Sequence, residues 1–268
     1  MGDAMKSESS IAVDIGNCRI KIGRFTSREG SIPECAESLV FLLSDEKEWA
    51  TALRELAEAN PDATAVIAGS NQAGIKTFLN SWPGDWPEPT LIRSSENFPL
   101  EIRADEPRKV GLDRLLNAVA VNRLRNTTQP AVIVDCGTAT TVDFVAESGA
   151  FGGGAILPGF GLSARALHEY TDALPRISLQ ELTSQVEISG KNGLLPLGKN
   201  TRAAIQSGIF WGQIGAIREL VGRISADVTS PQLFLTGGGS STLAPFLPNA
   251  IHCPFLPLQG MLLVSKNC

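Results

Sequence analysis

An aspartate at the end of an apolar strand, followed by a glycine turn, can hold a cation beside a phosphate cradled by the turn's N–H groups. This chain writes that arrangement twice. Ile11-Ala12-Val13-Asp14-Ile15-Gly16-Asn17-Cys18 and Val132-Ile133-Val134-Asp135-Cys136-Gly137-Thr138-Ala139 each run to Asp, then any residue, Gly and a small polar residue. Asp135 follows Asp14 by 121 residues (135 − 14), close to half of the 268-residue chain. Lys21 is placed on the returning strand of the first turn, where its ammonium can reach terminal phosphates. At the same offset the second copy has Val142, so only the first carries this charge. In Gly111-Leu112-Asp113-Arg114 a carboxylate stands beside a guanidinium, and a carboxylate is the group that can take a proton from an attacking hydroxyl. Read alone, Asp113 is a helix cap, and Asp14 and Asp135 are ordinary strand-end turn formers.

The elements that must position these residues follow from the pattern. Each β-branched run reads as a buried strand, and Gly allows the sharp reversal into a second strand, Arg19 to Phe25 or Thr140 to Val145. A helix is expected over Glu46–Asn60, a strand over Thr64–Gly69, a surface loop over Ser81–Pro89 and a short strand near Thr90–Arg93. Helical spacing of Leu112, Leu115, Leu116, Val119 and Leu124 marks Gly111–Arg125. Beyond it come a glycine turn at Gly152-Gly153-Gly154, a helix over Leu162–Tyr170 and a less regular stretch to Gly198. A long helix capped by Asn200 extends towards Ile224, a strand over Gln232–Leu235 leads into Gly237-Gly238-Gly239, and a helix starts over Ser241–Leu247. The expected fold is α/β: two duplicated domains, 1–126 and 127–268, each a mixed sheet flanked by helices, with a nucleotide cleft between them.

Composition narrows the function. An apolar fraction of 43%, 19% charged residues and a net charge of −5 describe a globular protein with no electrostatic footprint for nucleic acid or an anionic membrane. No apolar run is long enough to span a bilayer. Residues 1–10 are polar, and Lys6 occupies the position where a myristoylation signal needs Ser or Thr. Five scattered cysteines without a C-x-x-C pair, and two isolated histidines, give no disulfide framework or zinc site and point to a reducing cytoplasm. Two motifs are decoys. Gly193 to Lys199 spells G-x-x-x-x-G-K, but Asn200 replaces the Mg²⁺-binding hydroxyl and no strand feeds it. Gly159-x-Gly161-x-x-Ala164 imitates a dinucleotide fingerprint without its βαβ context.

Taken together, the Asp14-x-Gly16-Asn17, Gly111-Leu112-Asp113-Arg114, Asp135-x-Gly137-Thr138-Ala139-Thr140-Thr141 and Gly237-Gly238-Gly239 motifs resemble the type III pantothenate kinases, of the actin-like ATPase and sugar kinase superfamily. Gly153 to Gly159, Ala173-Leu174-Pro175-Arg176-Ile177 and Gly198-x-Asn200-Thr201 support this, so the likeness runs from about Ile11 to Leu247. It implies ribonuclease H-like domains and ATP-dependent phosphorylation of pantothenate, the first step towards coenzyme A. Asp113 would be the general base, and Gly111, Arg114 and Thr201 would bind pantothenate, Thr201 across a homodimer interface. Gly208 and Gly212 share a helix face that could serve close packing between or within subunits. Asp14, Gly16, Asn17, Lys21, Thr138, Gly237 and Gly238 would bind ATP, with Mg²⁺ on Asp14 and a monovalent cation, K⁺ or NH₄⁺, on Asp135. Two residues depart from the family pattern: Cys18 replaces a Thr or Ser, and Ala104 stands where a Tyr often lines the pantothenate pocket. These leave open a kinase of another small hydroxyl compound, or a non-catalytic nucleotide-binding regulator.

Overall fold

The computed structural model describes residues 8–28 and 30–266. The readings made on residues 1–7 and on Cys268 lie outside that range. The chain forms two units, one running to Leu124 and resuming at Phe255, the other Arg125–Pro254.

The first unit opens with β1 (Glu8–Ile15), β2 (Arg19–Ser27) and β3 (Glu34–Leu42), an antiparallel meander. Helix α1 (Glu46–Ala59) leads to β4 (Thr64–Ala68), and α2 (Gln72–Asn80) to β5 (Thr90–Leu91), giving the sheet order β3-β2-β1-β4-β5. Alternation along β1 and β2 sends Ile11, Val13, Ile15, Ile20 and Ile22 into a core with Trp49, Leu53, Ile67 and Phe78. Asp14 and Lys21 fall on the other face, opposite each other in the β1–β2 register. Helix α3 (Leu112–Leu124) closes this stretch.

The second unit repeats the plan. Strands β6 (Ala131–Cys136), β7 (Ala139–Val145) and β8 (Phe151–Pro158) form the meander, followed by α4 (Phe160–Glu169), α5 (Leu179–Ser189) and α6 (Thr201–Ile224). Then come β9 (Gln232–Thr236), α7 (Ser240–Leu243) and β10 (Ala250–His252), in a sheet ordered β10-β9-β6-β7-β8. As in the first sheet, the first strand pairs antiparallel on one side and parallel on the other. Asn200 caps α6, its Oδ1 accepting the Ala203 N–H at 2.9 Å.

Helix α8 (Leu256–Ser265) belongs to the first unit, so the boundary expected at 126/127 lies close to Leu124–Arg125, but residues 255 onward do not follow it. The helix packs on α3, β1 and β4, and Gly260 lies so close to the Leu116 carbonyl that a Cβ would overlap it. Because α8 is buried on most sides, its apolar residues lack the one-sided period that betrays a surface helix. Three other expectations change. Gly152-Gly153-Gly154 is no turn but part of β8, where Gly154 leaves room for Asp143 and Gly152 for the Phe144 ring. The Ser81–Pro89 loop buries Trp86, whose indole N–H donates to the Asn60 carbonyl at 3.0 Å and whose ring stacks on Trp82. The irregular stretch before Gly198 contains α5.

Candidate functional site

In the first unit the chemistry gathers at the C-terminal end of β1. Gly16 N–H donates to the Arg19 carbonyl at 2.9 Å, closing a turn whose residues Asn17 and Cys18 are exposed. The Cys18 carbonyl accepts from Leu43 N–H at 2.9 Å and Ile15 O from Asn71 N–H at 3.3 Å, so the turn is anchored on both flanks. Gly69 packs directly on the Ile15 backbone, where a Cβ would overlap it. Asp14 and Lys21 are half-buried behind the turn, a carboxylate and an ammonium facing the same side of the sheet.

Asp113 lies in the first turn of α3, exposed, with its Oδ1 accepting the Arg114 N–H at 2.9 Å. The carboxylate therefore satisfies one orphan helical donor at an exposed position. Gly111 makes this possible: a Cβ there would stand 2.6 Å from Asp113 Oδ1. Arg114 is half-buried, and Ala104 lies just upstream, before the short 3₁₀ turn Pro107–Lys109.

In the second unit three glycine-bearing turns converge around Asp135. Gly137 N–H donates to the Ala139 carbonyl at 3.0 Å, leaving Thr138 exposed. Gly159, between β8 and α4, donates its N–H to the Thr138 carbonyl at 3.0 Å, and a Cβ on it would be 2.5 Å from Gly137 O. Gly239 N–H donates to the Cys136 carbonyl at 2.8 Å. Gly237 has φ +91°, and a Cβ on it would overlap Asp135 Oδ1. Asp135 is flanked in register by Thr141 on β7 and Thr236 on β9, and the Thr236 hydroxyl is fully buried with no hydrogen-bond partner among the described residues. Burial, reinforced by the Asp135 charge, pushes the Cys136 thiol far above its ordinary range, so it stays protonated.

Sequence reasoning paired Lys21 with Val142. The structure corrects this by one position. Asp14 faces Lys21, but Asp135 faces Thr141, because the second turn is one residue shorter. Val142 points into the core. Gly159 belongs to no dinucleotide fingerprint, yet its place between β8 and α4 makes it the brace of the second turn. The G-x-x-x-x-G-K segment follows a short 3₁₀ turn at Gly190–Asn192 rather than a strand. Thr201 is the exposed first residue of α6.

Neither aspartate sits in a group of three or more acidic, His or Cys ligands among the described residues. That donor set suits a hard cation held by one carboxylate with phosphate and water completing its shell, as Mg²⁺ on a nucleotide is. Asp135 and Thr236 are register partners on β6 and β9, so this end of the sheet offers one carboxylate and one neutral hydroxyl oxygen.

A family model for type III pantothenate kinase matches residues 10–223. The type III pantothenate kinase of Caulobacter vibrioides is 40% identical over 58% of this chain and 56% of its own length. That of Dehalococcoides mccartyi is 33% identical over 91% of this chain and 90% of its own. Among solved structures, component A of the Acidaminococcus fermentans (R)-2-hydroxyglutaryl-CoA dehydratase superposes with a TM-score of 0.56 at 13% identity, covering 97% of this chain and 99% of its own. That likeness speaks for the fold alone, a duplicated two-sheet α/β architecture.

Proposed function

The chain belongs to the type III pantothenate kinase family, and we propose that it carries out that family's reaction. It transfers the γ-phosphoryl group of ATP to the primary hydroxyl of pantothenate, giving 4′-phosphopantothenate and ADP. The observation that carries this reading is the family match over residues 10–223, which takes in both aspartate turns, Asp113, Arg114 and Thr201.

Asp113 accepts the hydroxyl proton as the oxygen attacks the γ-phosphorus and the bond to the β–γ bridging oxygen breaks. Its geometry suits the task, since the Arg114 N–H engages one oxygen and leaves the carboxylate oriented. Arg114 pairs its guanidinium with the pantothenate carboxylate, and Gly111 keeps that corner open. Gly16, Asn17 and Lys21 bear the charge of the transferred phosphoryl group, Thr138 holds the remaining phosphates, and Gly237 and Gly238 meet the adenosine. Asp14 is the residue that would hold Mg²⁺, which supplies charge neutralisation on the triphosphate. Asp135 with Thr236 would hold K⁺ or NH₄⁺.

In this reading the chain works as a homodimer in the cytoplasm. Among the described residues, nothing beyond the adjoining backbone of α6 itself lies within 4 Å of where a Cβ would sit on Gly208, Gly212 or Gly215, and this glycine face is where a second copy would pack, with Thr201 contributing to it. The described cysteines, Cys18, Cys35, Cys136 and Cys253, are all free thiols, as a reducing compartment keeps them.

The test is ADP release with ATP, Mg²⁺ and K⁺, with and without pantothenate. Pantothenate-dependent turnover supports the reading. Turnover with another primary alcohol in its place would favour the alternative substrate that Ala104 permits.

A further inference from the structure

We propose that His252 forms a wall of the nucleotide-base subsite, its imidazole stacking on the purine of ATP. This rests on the reading of Gly237–Gly239 as the adenosine loop and adds to it a residue that no motif includes. The strands β9 and β10 run parallel, with His252 opposite Leu235, and Cys253 N–H donates to the Leu235 carbonyl at 2.8 Å. Both strands thus end at the same edge of the sheet, where β9 passes through Thr236 into the glycine loop. Open α/β sheets bind their ligands beyond such carboxyl ends. His252 Nε2 lies 2.8 Å from Ser240 Oγ, the residue that directly follows Gly239. Ser240 is 2% exposed and its N–H donates to the Gly237 carbonyl at 3.1 Å, so it is a rigid part of the loop. The histidine, in contrast, is exposed.

The hydrogen bond therefore ties one edge of an exposed ring to the loop. A planar ring held in a fixed orientation beside a backbone without side chains is what a flat heterocycle needs: close approach on one side, a stacking surface on the other. The other histidine, His168 on α4, is used differently, with its Nδ1 2.8 Å from the Leu174 carbonyl.

Titration calorimetry of the full chain with ATP and with inorganic tripolyphosphate tests the assignment. His252→Gln keeps a hydrogen-bonding group for Ser240 and removes the aromatic face. The expected result is ATP binding weakened roughly 5–100-fold, the range of one lost base–aromatic stack, with tripolyphosphate binding unchanged. Equal weakening of both ligands, or none of either, overturns the proposal. Gly238→Val separates the two layers: if it abolishes ATP binding while His252→Gln does not, the loop reading stands and the histidine falls. If neither changes ATP binding, the loop reading itself falls. The wild-type protein gives an independent readout, since its NMR spectrum holds only two imidazoles. ATP should shift the His252 ring resonances by ring current and leave those of His168 in place, and tripolyphosphate should shift neither. No ATP-specific shift at His252 would overturn the stack even if the variant failed to fold.

Discussion

The backbone N–H of Arg114 donates to the carboxylate of Asp113 at 2.9 Å, so the helix that presents the acid also fixes its rotamer. Asp113→Asn keeps an oxygen for that bond and removes only basicity. Its expected effect is a fall in kcat of about 10²–10⁴-fold, the usual range for a lost general base, with the melting temperature unchanged. Steady-state kinetics beside a thermal melt checks both halves, and a near-wild-type rate would remove Asp113 from the reaction.

Gly111→Ala tests the same acid without touching it. The new methyl would sit 2.6 Å from Asp113 Oδ1 and must push the carboxylate out of its hydrogen bond. Gly111 is exposed, so stability should change by less than about 1 kcal/mol, while kcat falls roughly tenfold or more. A stable variant with full activity would mean that the carboxylate's orientation is immaterial.

Gly237→Ala combines two penalties. At φ +91° any side chain is strained, and its Cβ would overlap Asp135 Oδ1. Strain alone costs about 1–3 kcal/mol, so a lower denaturation midpoint and a lost thermal response to ATP are expected together. Equilibrium unfolding with and without ATP would show it.

The cysteines report the phosphate turn. Cys18 is exposed and Cys136 is buried, while burial raises the thiols of Cys35 and Cys253 above their ordinary range. A raised pKa means less thiolate at pH 8, hence slower alkylation, so Cys18 should react first with iodoacetamide and Cys136 only on unfolding. If the Gly16–Arg19 turn binds phosphate, MgATP should slow labelling of Cys18 at least severalfold, read by peptide mass spectrometry. Equal rates with and without nucleotide would place the phosphates elsewhere.

Strong local signals made part of this molecule legible from sequence. The apolar runs before Asp14 and Asp135 are unbroken because both strands are buried on each face, and Asn200 marks its helix because a short polar side chain can cap it. Strand β3 gave no such signal: it is an edge strand, mostly exposed, with Leu39 and Phe41 alone reaching the core. Gly152 to Gly154 read as a turn because glycine signals conformational freedom, whereas two of them serve side chains on the neighbouring strand. The place of Lys21 on the returning strand is legible in the sequence, but its counterpart in the second copy is not, since a one-residue shortening of a turn moves every later partner without changing the motif. The contact of Gly159 with Thr138, and that of Ser240 with His252, join residues 21 and 12 positions apart that no periodicity connects.

The chain leaves its first unit after Leu124 and returns to it at Phe255, so the second unit is in effect an insertion. During synthesis the second unit can be complete while the first still lacks the helix that lies against α3, β1 and β4. The helix bearing Asp113 and Arg114 thus gains its packing partner only after the whole of the second unit has been translated. A premature stop ahead of Leu256 would spare every motif named above and still strip that packing from α3, so catalytic competence has to follow completion of the second unit.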